Sequence, residues 1–230
     1  MATIKKGDFV ELEYTGKVKE DNLVFDTTSE KTAKDSHIYN PHASYGPAII
    51  CLGEHQLLKG LDEGLQGKEV GKEYTFDLKP EEAFGKKSSQ LLKLIPLTAF
   101  KKGNTRPEIG MQVEIDGNFG IVKTVTGGRV IVDFNHPLSS KELVYSVKIN
   151  KIVADDSEKV KSLISLSLNL RRDKIDVSTS NGKAVVKMLK LPDIFKAEFE
   201  KKIKELVPTI KELVFEDLKE EKQPLNTSKQ

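Results

Sequence analysis

The stretch Pro47-Ala48-Ile49-Ile50-Cys51-Leu52-Gly53-Glu54-His55-Gln56-Leu57-Leu58-Lys59-Gly60-Leu61-Asp62-Glu63-Gly64-Leu65-Gln66-Gly67 decides the fold of this chain. Its first part, residues 48–52, is a compact apolar run that is typical of a buried strand. Gly53 ends the run, and the apolar residues that follow recur at positions 57, 58, 61 and 65, which is the spacing of a helix. Gly60 and Gly64 each cost so short a helix about 1 kcal/mol relative to alanine, so they indicate close backbone packing. The stretch therefore predicts a buried strand and then a short helix that lies flat against a sheet.

Composition excludes several classes of protein. The chain has 230 residues, and its 37 Lys and Arg nearly balance its 35 Asp and Glu, so bulk charge indicates no nucleic-acid or membrane partner. A single cysteine excludes an internal disulfide, no apolar run approaches the roughly 18 residues of a membrane span, and the N-terminus lacks a signal-peptide pattern. Phosphate-binding glycine loops, a nucleophile elbow and zinc-ligand spacings are also missing. We therefore expect a cytoplasmic protein without a metal or cofactor.

The segments on either side of the opening stretch predict an antiparallel sheet. Apolar residues alternate with glutamates within residues 4–18, as in a half-buried strand. Residues 23–25 form a second short strand that ends at Asp26, and residues 74–78 alternate in the same way. Residues 27–45 are polar and turn-rich, so we predict a long surface loop there.

A second, smaller sheet is predicted between residues 86 and 136. Three alternating segments, residues 111–115, 120–125 and 129–134, are joined by two hairpin signals, Asp116-Gly117-Asn118 and Thr126-Gly127-Gly128. The region carries eight Lys or Arg against four Asp or Glu and is rich in leucine, so it is modestly basic and apolar. Its spare apolar surface could hold unfolded segments, or its leucines could simply pack the sheet.

Residues 155–230 predict a further α+β unit. A helix capped by Asp156 or Ser157 is followed by a hairpin with the turn Asn181-Gly182. We then expect a helix capped by Asp193, another that begins at Pro208, and a polar, frayed end over residues 219–230. The first helix bears Val160, Leu163, Ile164 and Leu168. The two later helices have apolar stripes at Phe195, Phe199, Ile203 and Leu206 and at Ile210, Leu213, Val214 and Leu218.

This C-terminal unit has few apolar residues for its size. A unit of about 70 residues with two striped helices has little core of its own. We therefore expect a homodimer through residues 154–230, which would present two binding units to one client. Charges of both signs are interspersed along the region, which indicates a solvated face rather than a nucleic-acid patch.

Six separated pieces of the chain, in their order and spacing, resemble the FKBP-type peptidyl-prolyl cis-trans isomerases. They are Tyr14-Thr15-Gly16, Phe25-Asp26, Leu52-Gly53, Leu57-Leu58-Lys59-Gly60-Leu61-Asp62-Glu63-Gly64, Val70-Gly71 and Pro80-Glu81-Glu82-Ala83-Phe84-Gly85. The family's closing strand arrives only at residues 142–149, after about fifty further residues. That split, with Asp133-Phe134-Asn135-His136-Pro137-Leu138 before the return, resembles the SlyD-like branch with its inserted chaperone domain. The C-terminal region resembles the long archaeal members of that branch.

The resemblance completes the expected architecture. The fold class is α+β, with an antiparallel FKBP-like half-barrel sheet and a short helix, an inserted small all-β domain, and a C-terminal α+β domain. The isomerase domain is expected at residues 1–87 and 137–153, the insert at 88–136, and the C-terminal domain at 154–230.

The resemblance also implies a set of site residues for an isomerase that acts on unfolded, proline-containing polypeptides. The catalytic positions match Tyr14, Phe25, Asp26, Leu58, Phe84 and Tyr145, and the further pocket lining matches Ala48, Ile50, Leu57 and Leu61. In the family, the backbone N–H at the position of Leu58 binds the substrate carbonyl. In the insert, we expect substrate contacts at Leu92, Leu94, Ile95, Leu97 and Phe100.

The chain departs from the family pattern at the pocket floor. Its best-known members have a tryptophan there, whereas this chain has no tryptophan and places Leu61 at that position. Ala48 is small where an aromatic residue is common. We therefore expect a wider floor, broad substrate tolerance and weak binding of macrolide drugs.

Other interpretations of the same residues remain open at this stage. Without the resemblance, Phe25, Ile50 and Leu61 would be ordinary core residues. Asp26 is either a turn residue or a buried polar group whose partner is Tyr14. The competing functions are a non-catalytic holdase and an RNA-associated binding module, although the insert has few surface aromatics for base stacking.

Overall fold

A computed structural model describes residues 2–102, 105–189 and 191–217 of the chain. In chain order, the strands are β1 (Phe9–Val18), β2 (Val24–Thr27), β3 (Ala48–Cys51), β4 (Glu73–Leu78), β5 (Leu92–Pro96), β6 (Gln112–Ile115), β7 (Asn118–Thr126), β8 (Arg129–Asp133), β9 (Leu143–Ile152), β10 (Asp176–Ser180), β11 (Lys183–Met188) and β12 (Glu212–Asp217). The α-helices are α1 (Glu30–Asp35), α2 (Lys59–Gly64), α3 (Leu97–Lys102), α4 (Asp156–Leu168) and α5 (Asp193–Leu206). The fold is α+β, as the sequence predicts.

The first sheet has five strands in the order β2-β1-β9-β4, and β3 also pairs with β1. The β1–β3 pairing is antiparallel and places Val10 opposite Ile50. Successive side chains of a strand point to opposite faces of the sheet. Val10 and its neighbour Phe9 are both buried, so both faces of β1 are covered. The prediction that residues 48–52 contain a buried strand is confirmed.

Residues 52–58 connect β3 to helix α2, and the Asp62 side chain of the helix stabilises this connection. The buried Asp62 carboxylate accepts hydrogen bonds from the N–H groups of Gly53 (2.8 Å) and His55 (3.4 Å). A Cβ added to Gly64 would lie 2.9 Å from the ring of Phe76 on β4, so only glycine lets the helix and strand approach this closely. The close packing predicted from the glycines is therefore confirmed at Gly64.

The segment between β2 and β3 contains a helix that the sequence interpretation missed. Residues 27–45 were predicted as a loop, but α1 forms within them. The Ser29 hydroxyl accepts a hydrogen bond from the Thr32 N–H, and Glu30 places a negative charge in the first turn. Both features favour a helix start, and the single buried residue Ala33 is too weak an apolar pattern to reveal it.

The residues from Asp77 to Leu143 form a compact unit of their own. Strands β5, β8, β7 and β6 make an antiparallel sheet in that order, and both predicted hairpin turns are present. The core of this unit consists of Phe100, Val113, Val122, Val130 and Val132. At its base, the Ser88 N–H donates to the Asn135 side chain, and the Asn135 amide donates back to the Ser88 carbonyl. These two bonds hold the ends of the inserted segment together.

The C-terminal region forms α4, the hairpin of β10 and β11, helix α5 and strand β12. The prediction of a helix beginning at Pro208 is wrong, because residues 212–217 form β12, which lies parallel to β11. The unpaired edge of β11 is the physical reason: it offers backbone hydrogen bonds, and Val214 and Phe215 suit a strand. Leu218 and residues 219–230 lie outside the described residues.

The predicted caps of the C-terminal helices are each displaced toward the N-terminus. The N-cap of α4 is Asp155, whose carboxylate accepts from the Ser157 N–H, rather than Asp156 or Ser157. The N-cap of α5 is Pro192, and Asp193 is its first helical residue. Asp193 still complements the helix dipole from that position.

One apolar core joins the first sheet to the C-terminal region. It contains Phe9, Ile49 and Cys51 from β1 and β3 together with residues of α4, β11 and α5, including the fully buried Ile164 and Ile203. Accordingly, the described parts of Met1–Phe76 and Val144–Gln230 form a single compact unit. The boundary at residue 154 stays a prediction, but the core extends across it. Within the described residues, no helix is long and apolar enough to cross a membrane.

Candidate active site

Three aromatic side chains from neighbouring strands meet in the first sheet. Tyr14 on β1, Phe25 on β2 and Tyr145 on β9 are the residues that the sequence assigned to the pocket. The ring centroids of Tyr14 and Tyr145 lie 5.9 Å apart, and those of Phe25 and Tyr145 lie 5.7 Å apart at an interplanar angle of 82°. The edge-to-face geometry is a favourable one for aromatic pairs. The strand order β2-β1-β9 is what brings the three rings together.

Gly16 makes room for this aromatic cluster. A Cβ at this position would lie 2.7 Å from Cζ of Tyr145 and 3.0 Å from Cζ of Phe25. Any other residue would therefore push the rings apart. Gly16 belongs to the motif Tyr14-Thr15-Gly16 that resembles the family. Only the packing shows why a glycine is needed there.

Asp26 is a half-buried polar group whose partner is Tyr14, which is close to the second of the two predicted alternatives. Burial raises the pKa of the Asp26 carboxyl above its ordinary value, although hydrogen bonds from the Tyr14 side chain and the Thr27 backbone oppose the rise. Burial also raises the pKa of Tyr14, and the nearby Asp26 charge raises it further. The Tyr14 hydroxyl consequently keeps its proton at neutral pH and donates a hydrogen bond to the Asp26 carboxyl.

Tyr145 behaves in the same way. It is 3% exposed, and burial followed by the charge of Asp26 raises its pKa well above the usual range. The pocket thus contains a single ionisable carboxyl among protonated phenols and apolar rings.

The backbone of Tyr14 is held by two threonines that the sequence interpretation did not single out. The Thr28 hydroxyl accepts from the Tyr14 N–H at 2.9 Å, and the Thr27 and Thr28 hydroxyls both lie within 3.2 Å of the Tyr14 carbonyl as donors. The predicted strand ended at Asp26, whereas β2 ends at Thr27 and Thr28 follows it directly.

The remaining predicted pocket residues of the first unit fall into two groups. Ala48 lines a cavity of about 360 Å³ together with Tyr14, Phe25 and Asp26. Ile50 and Leu61 are only 1% and 2% exposed, so they are core residues that support the pocket from below its surface. This is the alternative that the sequence analysis left open for these two residues. A direct substrate contact for either stays a prediction.

Leu57 and Leu58 lie half-buried in the segment that leads into α2. The Leu58 carbonyl accepts from the Leu61 and Asp62 N–H groups and starts the helix. No acceptor among the described residues takes the Leu58 N–H. A free donor at this position is what the family resemblance requires for binding a substrate carbonyl.

Phe84 belongs to the second compact unit, so its place in the pocket stays a prediction. Its ring stacks on that of His136 with centroids 4.2 Å apart and planes 6° apart. Of the predicted contacts in the insert, Leu92 and Leu94 are 46% and 56% exposed, and Ile95 and Leu97 are half-buried. Phe100 is 8% exposed and packs in the core of the insert, so it is the least accessible of the five.

Cys51, His37 and His42 have side chains that can act as nucleophiles or metal ligands. Cys51 is buried in the core, where burial raises the pKa of its thiol to about 11, so it is not an activated nucleophile. His37 and His42 are exposed. Across the part of the chain that the structure describes, no three His, Cys, Asp or Glu side chains are grouped to hold a metal ion.

Comparison with known proteins finds relatives of this chain. Residues 93–138 match the family model described as the FKBP26 IF domain. The chain is 36% identical over 155 residues to a short-type peptidyl-prolyl cis-trans isomerase of Methanocaldococcus jannaschii, a match that covers 67% of this chain and 98% of that protein. It is 28% identical over 134 residues to the FKBP-type isomerase SlyD of Haemophilus influenzae, covering 56% of this chain and 70% of the relative.

A third relative is the FKBP-type 16 kDa peptidyl-prolyl cis-trans isomerase of Escherichia coli, which is 33% identical over 111 residues and matches 46% of this chain and 74% of its own length. Three observations lead to one assignment: the six motifs, the aromatic cluster with the Asp26 carboxyl, and a relative matched almost from end to end. The chain belongs to the FKBP-type peptidyl-prolyl cis-trans isomerases, in the SlyD and short-type branch that carries an insert-in-flap domain.

Proposed function

We propose that this protein catalyses cis-trans isomerisation of X-Pro bonds in unfolded polypeptides, and that it does so by desolvating the bond in an apolar pocket. The observation that carries the proposal is the cluster of Tyr14, Phe25 and Tyr145 around the half-buried Asp26 carboxyl. Family membership supports the reaction, and the geometry supports the way in which it is catalysed.

The chemistry follows from the bond itself. An X-Pro bond has only a small trans preference, but its rotation is opposed by about 18 to 20 kcal/mol because resonance gives the C–N bond double-bond character. The planar amide is more charge-separated than the twisted one. A pocket with little water stabilises the planar form less than bulk water does, and each 1.36 kcal/mol removed from the barrier raises the rate about tenfold. No bond to the protein forms or breaks.

The residues of the pocket divide this work. The aromatic rings of Phe25 and Tyr145 exclude water from the proline, and the free Leu58 N–H holds a substrate carbonyl in place. The Tyr14–Asp26 pair fixes the tyrosine ring by a hydrogen bond that burial strengthens. With Leu61 and Ala48 in place of larger side chains, the floor admits varied substrates and gives macrolides less surface to contact.

Gly16→Ala is expected to lower kcat/KM for a proline peptide about tenfold or more, because the added methyl group displaces the rings of Tyr145 and Phe25. Exchange NMR spectroscopy of a short proline peptide measures the rate. The matched control is Gly120→Ala in the insert, where an added Cβ meets Val132 and Phe134 at similarly short distances. Equal effects of the two substitutions would contradict the proposed role of the cluster.

Asp26→Asn is expected to change how stability depends on pH. Because the folded pKa of Asp26 lies above its unfolded value, the carboxyl contributes stability below the unfolded pKa and loses it as pH rises through the folded pKa. The variant should therefore gain stability relative to the wild type as pH rises through the acid range, in urea unfolding experiments at several pH values.

The control for this experiment is Asp155→Asn. The pKa of Asp155 is lowered, chiefly by the hydrogen bond from Ser157, so its contribution has the opposite sign and is lost as pH falls. Parallel pH curves for the wild type and Asp26→Asn would show that Asp26 is not held in the environment described.

We further propose that the insert holds unfolded segments next to the isomerase pocket, which raises their local concentration. Leu92 and Leu94 expose apolar surface along β5, and Phe119 on β7 is 64% exposed. Such surface on a small basic unit suits extended, unfolded chains.

Replacement of residues 89–134 by a short glycine linker tests the proposed function of the insert. The linker can bridge the gap because Ser88 and Asn135 are hydrogen bonded to each other. We expect the rate on a proline-limited refolding protein to fall at least tenfold, while the rate on a tetrapeptide changes little. Equal losses on both substrates would refute the role, and suppressed aggregation without any rate increase would favour a pure holdase.

We also propose the homodimer, but on a different basis from that in the sequence. The C-terminal region shares a core with the first sheet, so lack of a core no longer requires a partner. What supports the dimer is the apolar surface at the first turn of α5, where Ile194 and Phe195 are 69% and 43% exposed. Light scattering at micromolar concentration should give twice the chain mass of 25.7 kDa, and Ile194→Glu should halve it. A monomeric wild type would exclude the dimer.

A further inference from the structure

We infer that the end of α4 and the loop before β3 form a subsite that binds an apolar residue of the substrate chain next to its proline. The inference rests on the proposed isomerase function and adds a specificity element to it. It follows from a cavity that the C-terminal region builds together with the catalytic sheet.

The cavity of about 360 Å³ that Tyr14, Phe25 and Asp26 line extends to the C-terminal region. Leu166 and Asn169 at the end of α4 line it as well. A polypeptide whose proline contacts the aromatic cluster must lead its neighbouring residues away through adjoining space. This cavity is such a space, and its volume is within the range of pockets that bind small ligands.

The α4 wall is held firmly in place. Leu163 and Ile164 are buried in the shared apolar core, and this fixes the helix against β3. Ser162, Ser165, Leu166 and Asn169 recur at helical spacing on one face and all line the cavity. The orientation of the wall is therefore determined by the core behind it.

Most polar groups on this wall are already occupied. The Ser162 hydroxyl donates to the Lys159 carbonyl, the Ser165 hydroxyl donates to the Leu170 carbonyl, and Arg172 pairs with Glu158.

Two exposed side chains on the α4 wall can contact a ligand. Leu166 is 43% exposed, which offers apolar surface to the cavity. Asn169 has a left-handed backbone as the C-cap of α4, and its exposed side-chain amide can bind a peptide group. An apolar side chain with its peptide backbone matches this pair of groups.

The loop before β3, whose Tyr45 and Gly46 also line the cavity, is preorganised as well. The rings of Tyr39 and Tyr45 stack with centroids 5.4 Å apart, and the Tyr45 hydroxyl accepts a hydrogen bond from the Asn40 N–H at 2.9 Å. The Gly46 N–H donates to the Thr28 carbonyl and ties the loop to the strand that carries Asp26. A subsite between two fixed walls binds without paying for their ordering.

The experiment uses the full chain and a set of proline peptides of equal length. One peptide contains serine at every position around the proline, and in the others a single leucine replaces one serine at a time on either side. Exchange NMR spectroscopy gives kcat/KM for each peptide with the wild type, Leu166→Ala and Asn169→Gly. Glycine suits the left-handed position of Asn169, so that variant removes only the amide. Leu189→Ala is the matched control, since Leu189 is 53% exposed elsewhere in the C-terminal region.

We expect the wild type to prefer the peptide with leucine at one position by about fivefold, which is the gain from burying part of one apolar side chain. Leu166→Ala should abolish this preference, while Leu189→Ala should keep both the preference and the rate on the all-serine peptide. A preference that survives Leu166→Ala, or a wild type without any preference, would overturn the subsite. If the wild type catalyses none of the peptides, the proposed isomerase function itself fails.

Discussion

Burial of strand β1 on both faces is the constraint on which the rest of the structure depends. Val10 and Leu12 are completely buried on one side, and Phe9 enters the apolar core shared with the C-terminal region on the other. A strand in this position cannot shift its register by one residue without exchanging its two sets of side chains. Tyr14 and Gly16, further along the same strand, are consequently fixed in position, and the pocket is built on them.

The pocket combines apolar walls with one carboxyl that is costly to bury. Asp26 tolerates burial because Tyr14 and the Thr27 backbone donate hydrogen bonds to it, yet its pKa remains raised. This cost is consistent with a functional site, where groups are held in environments that stability alone would not select. Thr27 and Thr28 bind the backbone of Tyr14. They therefore hold in place the tyrosine that donates a hydrogen bond to Asp26.

The C-terminal region is an integral part of the unit that contains the first sheet. Its helix α4 packs on β3 and shares the core of Phe9, Ile49 and Cys51, so it belongs to the body of the isomerase unit rather than to a detached appendage. The same helix lines a cavity with Tyr14 and Asp26. The C-terminal region therefore lies directly beside the proposed active site.

By itself, the sequence determined the α+β class, the strand and helix of residues 47–67, the two hairpins of the insert and the family. Those features are local, because hydrophobic period, turn residues and motif spacing act over a few positions. The tertiary structure alone decided what depends on distant partners. Residues 212–217 form a strand because β11 offers them an edge. Position 16 has no room for a Cβ because two rings from other strands meet above it, and α4 lines the cavity of the pocket residues because a shared core holds it there. No local pattern encodes such contacts, since each joins residues that are far apart in the chain.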